Sequence, residues 1–322
     1  MLLHDNQVRS PQDRFGLRHQ RIAFLVMVVF FAVAPAIIYP VFLMKVMCLA
    51  LFACAVNLLI GFGGLLSFGH AMFLGTAGYV AGHAAKVWGF TPELAILFAT
   101  GCSTLLGVAT GLLAIRRLGI YFTMITLALA QMVYFVFLQA PFTGGENGLQ
   151  TIPRGRLLGL FDLNNGVNMY LFVMAIFLLG FLFIARIVHS PFGQILKAIR
   201  ENEARAISLG YDTNRYKLVA YILSAALAGT AGATKAVVFQ LAALPDAHWT
   251  TSGEVVLMAL LGGLGTLFGP VVGAAVIILM NNYLAQLDAW MMVIEGAIFT
   301  ACVLTFRRGV IGELAYRIRK PL

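Results

Sequence analysis

The sequence predicts an all-α, polytopic integral membrane protein with about ten transmembrane or re-entrant helices. Three observations lead to this fold class: 61% of the 322 residues are hydrophobic and only 11% are charged, and the mean hydropathy is +0.90. An average soluble domain has about 25% charged residues, so this chain has too few polar side chains to cover a water-exposed surface. The composition therefore excludes a soluble enzyme, a disordered protein and a disulfide scaffold.

Ten apolar segments follow one another, most of them near the length of about 20 residues that a membrane helix needs. They are 22–40, 46–62, 68–85, 94–115, 120–139, 168–187, 217–241, 254–270, 271–285 and 290–306. Turn-forming sequences such as Pro40 and Gly63-Gly64 separate most of them. The stretch 254–285 is too long for one span at about 1.5 Å per residue, and glycines and Pro270 interrupt it. We expect this stretch to be broken, re-entrant or two short spans.

Basic residues predict the orientation of these segments. With both termini in the cytoplasm, most of the 22 lysines and arginines fall on the cytoplasmic side, as the positive-inside rule requires. We therefore predict a cytoplasmic N-terminal tail at 1–21, a transmembrane domain at 22–306 and a cytoplasmic C-terminal tail at 307–322. The same loops account for the net charge of +9, so we expect no nucleic acid as a partner.

No motif for covalent or metal chemistry stands out in the sequence. The four cysteines lie in apolar runs without C-x-x-C spacing, which indicates packing. No lysine follows a glycine, so the chain lacks the Gly-Lys pair of a phosphate-binding P-loop. We expect no catalytic residue, metal or cofactor in this chain. If transport is driven by ATP, the ATPase is another polypeptide.

A polar segment at 190–216 interrupts the apolar pattern. Ser190 and Pro191 are suited to a helix start, and Gly210 is suited to a left-handed helix end. We expect one amphipathic helix between them, with a gap in its apolar face at Asn202. This helix either lies on lipid or docks a cytoplasmic partner. Its glutamates among basic residues favour a protein partner over a purely anionic lipid surface.

Several glycine-rich and polar motifs occur in a specific order. They are Gly61-Phe62-Gly63-Gly64, Ser67-Phe68-Gly69-His70, 119–128, 143–149, Ser190-Pro191-Phe192-Gly193, 198–203, 252–254 and 261–274. Over about residues 46–310, this order resembles the permease subunits of branched-chain amino acid ABC importers, and within them the LivM-type subunit. The resemblance implies the ABC importer permease fold and a place in the bacterial inner membrane.

The resemblance also implies partners and a substrate class. A LivH-type permease subunit would complete a heterodimer, two cytoplasmic ATPase subunits would bind ATP and Mg, and a periplasmic binding protein would deliver the substrate. Membrane lipid would surround the pair. The substrate would be a branched-chain or related amino acid, with urea, amides or other small polar solutes as alternatives. A stand-alone secondary transporter or channel is the rival class. Ion coupling favours buried acids, and Glu295 is the one acid clearly within a predicted span.

Three groups of candidate functional residues follow from the matching motifs. The substrate-pathway candidates are Gly63, Gly64, Ser67, Phe68, Gly69, His70, Tyr121, Thr123 and Thr126. The ATPase-coupling candidates, in the loop at 190–216, are Arg200, Glu201, Glu203, Ala206 and Gly210. The candidates for docking the binding protein are Thr143, Gly144 and Gly145. Alternatives stay open: the glycines also suit close helix packing, the histidine a structural hydrogen bond, and the loop at 143–149 a tight turn.

Overall fold

The computed structural model describes residues 11–117, 119–157, 159, 161–284, 293–294, 296–297, 300 and 309–318, and most of them are helical. In chain order the helices are α1 (Pro11–Val33), α2 (Pro40–Asn57), α3 (His70–Lys86), α4 (Pro92–Ala114), α5 (Ile120–Gln139), α6 (Gly166–Val188), α7 (Pro191–Glu201), α8 (Glu203–Ser208), α9 (Thr213–Phe239), α10 (Trp249–Gly262), α11 (Gly269–Leu284) and α12 (Gly309–Ile318). Two short antiparallel pairs join β1 (Leu149–Gln150) to β4 (Leu241–Ala242), and β2 (Arg156–Leu157) to β3 (Phe161–Asp162).

Helices long and apolar enough to cross a membrane confirm the predicted helical membrane protein. The described residues contain five of them: Pro40–Phe62, Pro92–Ala114, Ile120–Gln139, Gly166–Val188 and Thr213–Phe239. Two shorter apolar helices, Ile22–Ala36 and Gly269–Tyr283, accompany them. The count of about ten stays a prediction, because most of the predicted segment 290–306 lies outside the described residues, as does Glu295.

Helix boundaries differ from the predicted segments where proline begins a helix. Pro40 is the first residue of α2, because a proline fits the first helical turn, where its missing N–H has no partner to lose. The prediction that the second segment starts at residue 46 is therefore wrong by six residues. Helix α1 begins at Pro11, within the predicted tail, and continues to Val33.

The expected break in 254–285 is confirmed, although its extent differs from the prediction. Helix α10 starts at Trp249 and ends at Gly262, and α11 starts at Gly269. The turn between them contains Gly263 at φ +121° and Gly265 at φ +76°, and residues with a Cβ rarely adopt these backbone angles. The segment predicted at 254–270 is therefore a short helix followed by an irregular turn.

The polar segment forms two helices, so the expectation of a single one is wrong. Asn202 has extended backbone angles, ends α7, and caps α8 by accepting a hydrogen bond from Arg205 N at 3.0 Å. Asparagine favours this position because its short side chain competes for backbone N–H groups. The predicted ends are confirmed: Ser190 Oγ accepts from Gly193 N at 3.4 Å, and Gly210 has φ +88°.

Helix α2 forms the centre of the protein. Its apolar span is 94% buried, whereas that of α5 is only 22% buried. It packs against α6, α9, α10 and α11, and a second layer joins α3, α4 and α9. In that layer Gly232 approaches Leu74 so closely that a Cβ would overlap the Leu74 carbonyl. Small residues thus bring helix backbones together, as is typical within membranes.

Candidate functional site

The first half of the candidate site is the irregular end of α2. The helix widens into a π-turn over Leu58–Phe62 and then leaves helical geometry at Gly64, which has φ +70°. Leu65 N donates back to Leu59 O at 3.2 Å and closes the turn. Turns of this kind leave carbonyl groups unbonded within the helix, and inside a membrane protein these need another donor.

The second half is the glycine turn between α10 and α11, and Asn57 joins it to the first. The Asn57 amide donates to Thr266 O at 2.8 Å, and its oxygen accepts from Gly265 N at 3.0 Å. Asn57 itself is buried. One side chain therefore satisfies a donor and an acceptor of the distant turn and holds the two helix breaks side by side.

Arg200 of α7 lies where these two breaks meet. Its guanidinium donates to the Gly61 carbonyl in the π-turn, and a Cβ built on Gly265 would lie 3.0 Å from the same guanidinium. The stem of Arg200 covers Gly64, where a Cβ would lie 2.9 Å from its Cγ. The polar segment is thus hydrogen-bonded to the broken end of the central helix.

Lys197 adds a second contact from α7 to the same helix end. Its Nζ lies 5.5 Å from the centre of the Phe62 ring, within the range of a cation–π interaction. Partial burial lowers the pKa of Lys197 below its usual value, because the charged ammonium loses hydration there. Helix α7 therefore presents two cationic side chains to the end of α2.

The predicted pathway residues after the break lie close to α5. Thr123 Oγ1 donates to Leu66 O at 2.9 Å, and Gly69 lies against Thr126, where a Cβ would be 2.8 Å from the Thr126 carbonyl oxygen. Ser67 Oγ accepts from Gly69 N at 3.2 Å. The structure brings these residues together with Gly63 and Gly64, and it places Phe68 nearby, half-buried.

Tyr121 lies apart from that cluster, with 68% of its surface exposed in the isolated chain. It points away from the buried face of α5, which carries Phe122, Thr126 and Ala130. The assignment of Tyr121 to a substrate pathway therefore stays a prediction.

His70 is fully buried and begins α3. Its Nε2 lies 2.8 Å from Ser224 Oγ of α9, and Ser224 Oγ donates to Ala55 O of α2 at 2.5 Å. Because the serine has one proton, its oxygen accepts from the histidine, which places the imidazole proton on Nε2. His70 therefore has the structural hydrogen bond that was one of its two expected roles, and it connects three helices.

The predicted coupling residues divide into buried and exposed ones. Glu203 points inward and pairs with Lys217 Nζ at 2.5 Å, with 4% of the lysine side chain exposed. Ala206 is also buried, whereas Glu201 and Gly210 are exposed. Three apolar side chains, Ile207, Leu209 and Tyr211, are exposed by 56%, 69% and 40%. We call these three residues the α8 patch.

The predicted docking residues belong to a tightly held loop at the opposite end of α5. Thr143 is fully buried, and its hydroxyl lies 2.5 Å from Phe137 O and 2.7 Å from Ala140 O. Gly144 and Gly145 have positive φ. The loop continues into β1, which pairs with β4, so the expected tight turn is present. Whether its exposed side docks a partner stays a prediction.

Comparison with known proteins decides the family. The family model described as branched-chain amino acid transport system / permease component matches residues 39–303. The chain belongs to this family. The permease is also 25% identical over 278 residues to the high-affinity branched-chain amino acid transport system permease protein LivM of Salmonella typhimurium, a match that covers 79% of this chain and 65% of the relative.

A second relative gives the same result. The permease is 24% identical to LivM of Escherichia coli over 278 residues, again 79% of this chain and 65% of the relative. The chain thus spans about two thirds of the length of these relatives. No solved structure matches it. The LivM-type resemblance seen in the motifs is confirmed, and members of this family are transporter subunits rather than enzymes.

Sequence reasoning missed several polar residues that hold the permease site together. Asn57, Ser224 and Ser252 are buried, and Ser252 Oγ accepts from Ala71 N at 2.8 Å near the start of α3. Asn57 and Ser224 are each an isolated polar residue in an apolar helix, whereas Ser252 lies in the polar start of α10, within the motif 252–254. For the first two, that isolation is the available signal, because a buried polar side chain in a membrane needs a partner. The sequence does not say which partner.

Proposed function

We propose that this permease is a membrane-spanning subunit of an ATP-driven ABC importer in the bacterial inner membrane. It would pair with a LivH-type subunit and translocate branched-chain or related amino acids. ATP would be hydrolysed by two separate cytoplasmic subunits, and a periplasmic protein would deliver the substrate. Family membership and the two LivM relatives support this reading, as does the predicted orientation with both termini in the cytoplasm.

The observation that carries the proposal is the bond from Arg200 to the Gly61 carbonyl. Helix α7 is amphipathic and lies outside the candidate membrane spans, yet its arginine reaches the place where α2 breaks and where Asn57 holds the α10–α11 turn. A displacement of α7 would therefore change the hydrogen bonding of the α2 break, which Asn57 connects to the α10–α11 turn. Such an arrangement would let a movement of α7, caused by a cytoplasmic partner, alter the geometry of α2.

The α8 patch supports the docking of an ATPase subunit. Apolar side chains that lie exposed beside charged ones are typical of protein interfaces. Glu201 and Arg205 are exposed next to the patch and would form its polar rim. Glu203, in contrast, is held by Lys217 and Thr213. We therefore propose Glu201, rather than Glu203, as the acidic contact to the ATPase.

For the substrate path, we propose the segment from Gly63 to His70 together with Thr123 and Thr126. Irregular backbone in a membrane protein is tolerated where it is buried or lines a water-filled space. This segment leaves helical geometry between α2 and α3, and hydroxyl groups lie beside it. On the opposite side, the loop at 143–149 packs against Leu244–Ala247, which supports one continuous docking surface for the binding protein.

A reconstitution experiment tests the proposal. We expect uptake of labelled leucine into proteoliposomes only when this chain, the LivH-type subunit, both ATPases, the binding protein and ATP are all present. The matched control replaces the P-loop lysine in the ATPase subunits, which should abolish uptake. Labelled urea and acetamide test the alternative substrates. Uptake by this chain alone, unchanged by ATP, would instead establish a stand-alone transporter or channel and overturn the proposal.

A further inference from the structure

A cavity of about 260 Å³ lies between the end of α4 and the start of α9. Its volume corresponds to about nine water molecules at liquid density. Arg116 contributes from the α4 side, and Asn214 and Arg215 contribute from the α9 side. Arginine presents several N–H donors in a planar fork that fits a phosphate group. The cavity therefore offers donors suited to a phosphate oxyanion.

The charge around the cavity is positive and poorly neutralised. Within the described part of the chain, no carboxylate forms a salt bridge with Arg116 or Arg117. Arg215 pairs with Asp212 through its Nε at 2.7 Å, but 85% of its side chain is exposed. Its terminal N–H groups thus stay free to bind a second anion. Two arginines and one aspartate line the cavity, and Arg117 follows Arg116 directly in the sequence, so the local net charge is positive and favours an anionic occupant.

The floor of the cavity is apolar and continues onto the membrane face. Leu112, Ile115 and Leu218 line it beside the arginines. Along α4, Leu105, Leu112 and Leu113 are exposed by 70%, 51% and 64%. Both α4 and α9 are candidate membrane spans, so the arginines lie where two spans meet water. A bound molecule with a charged head and apolar chains would fit both surfaces.

We infer that this cavity binds the phosphodiester headgroup of an anionic phospholipid, whose acyl chains lie along the exposed leucines of α4. The inference does not depend on the transported substrate or on ATP. Free phosphate would satisfy the arginines equally well, but it would gain nothing from the apolar floor. Basic residues at a membrane surface attract anionic lipid by about 1 kcal/mol each.

Native mass spectrometry of the purified full-length chain tests the inference. We expect added phosphatidylglycerol to bind more tightly than phosphatidylcholine. Arg116→Gln combined with Arg215→Gln should weaken phosphatidylglycerol binding by about 10- to 30-fold. Arg205→Gln, which removes an exposed arginine outside the cavity, should leave binding unchanged.

A second variant should strengthen phosphatidylglycerol binding rather than weaken it. Asp212→Asn keeps a side-chain oxygen for the start of α9, where Asp212 accepts from Arg215 N, and it removes the competing charge. It should strengthen phosphatidylglycerol binding about fivefold, which a merely destabilised protein would not do. Equal binding of both lipids, or unchanged binding in the double variant, overturns the inference. So does displacement of phosphatidylglycerol by inorganic phosphate, because it would identify a free-anion site.

Discussion

The two ends of the permease hold their loops by different means. At the predicted outer end, β1 pairs with β4, and Ile152 and Gln240 exchange two hydrogen bonds of 3.1 Å. At the predicted cytoplasmic end, the described residues contain no strand pairing, and α7 meets the end of α2 through side chains such as Arg200. Paired strands open only when several bonds break together, whereas a single side-chain bond can exchange by itself. From this difference we predict that the outer end is the more rigid of the two and that the Arg200 contact at the cytoplasmic end can move.

The largest effect should come from the ion pair between Lys217 and Glu203 at the predicted cytoplasmic end, where the lysine is buried. Glu203→Gln leaves the Lys217 ammonium, with 4% of its side chain exposed, without its carboxylate, and a buried charge that loses its partner is strongly destabilising. We expect the free energy of unfolding, measured in detergent micelles, to fall by about 3 kcal/mol. This would define Lys217–Glu203 as a fixed anchor of α8, distinct from the movable contact at Arg200.

A double-mutant cycle isolates that pair from other effects of the substitution. Lys217→Met with Glu203→Gln should cost less than the sum of the two single variants, because neither charge is then left buried alone. Arg215→Met is the matched control, since its pair with Asp212 is largely exposed and should contribute little. Additive losses in the cycle would show that the pair does not act as an anchor.

The next effect concerns the movable contact itself. Arg200→Met removes the donor to the Gly61 carbonyl while it keeps an apolar stem over Gly64. A charged hydrogen bond contributes about 2 kcal/mol, so we expect leucine uptake per ATP hydrolysed to fall about 30-fold. ATP hydrolysis itself should continue. The measurement is the ratio of the two rates in the reconstituted importer.

Two controls define what this ratio means. Arg186→Met removes an exposed arginine at the end of α6, outside the docking segment, and should leave the ratio within about twofold, as for most surface substitutions. Arg200→Lys keeps the charge but loses the planar fork, so its ratio should lie between the wild type and Arg200→Met. A parallel loss of uptake and hydrolysis in Arg200→Met would indicate failed assembly and would contradict a coupling role.

Much of this architecture could be predicted because the membrane imposes simple patterns. Apolar length predicts helices, and glycine runs predict where they break, as at Gly63-Gly64 and 263–268. Ser190 and Gly210 are confirmed as helix ends because capping depends on local chemistry. The sequence also contains a signal for the break at Asn202, since asparagine caps helices. The helical spacing of apolar residues on both sides, however, favours one continuous helix.

The rest depended on contacts between residues far apart in sequence. Asn57 and Thr266 are separated by 209 positions, and Arg200 and Gly61 by 139, so no local pattern connects them. Glu203 illustrates the same limit. The resemblance places it in the docking helix. Its side chain instead turns inward and pairs with Lys217, one turn into α9, because the carboxylate stabilises the buried charge of the lysine. Which of two nearby glutamates faces a partner is decided by packing rather than by spacing.

The smallest effect should come from the ion pair at the outer end. Lys235 Nζ lies 2.5 Å from Asp246 Oδ1, with about a fifth of each side chain exposed. Lys235→Met should lower the free energy of unfolding by about 1 kcal/mol, because the strand pair and the Thr251 bond to Pro245 O, at 2.8 Å, keep the loop in place. Asp246→Asn is the matched variant from the other partner. Thermal unfolding in detergent measures both, and uptake should stay within about twofold. A loss above about 3 kcal/mol, the size expected for a buried pair, would mean that the outer end also depends on one side chain, and the contrast with Arg200 would fail.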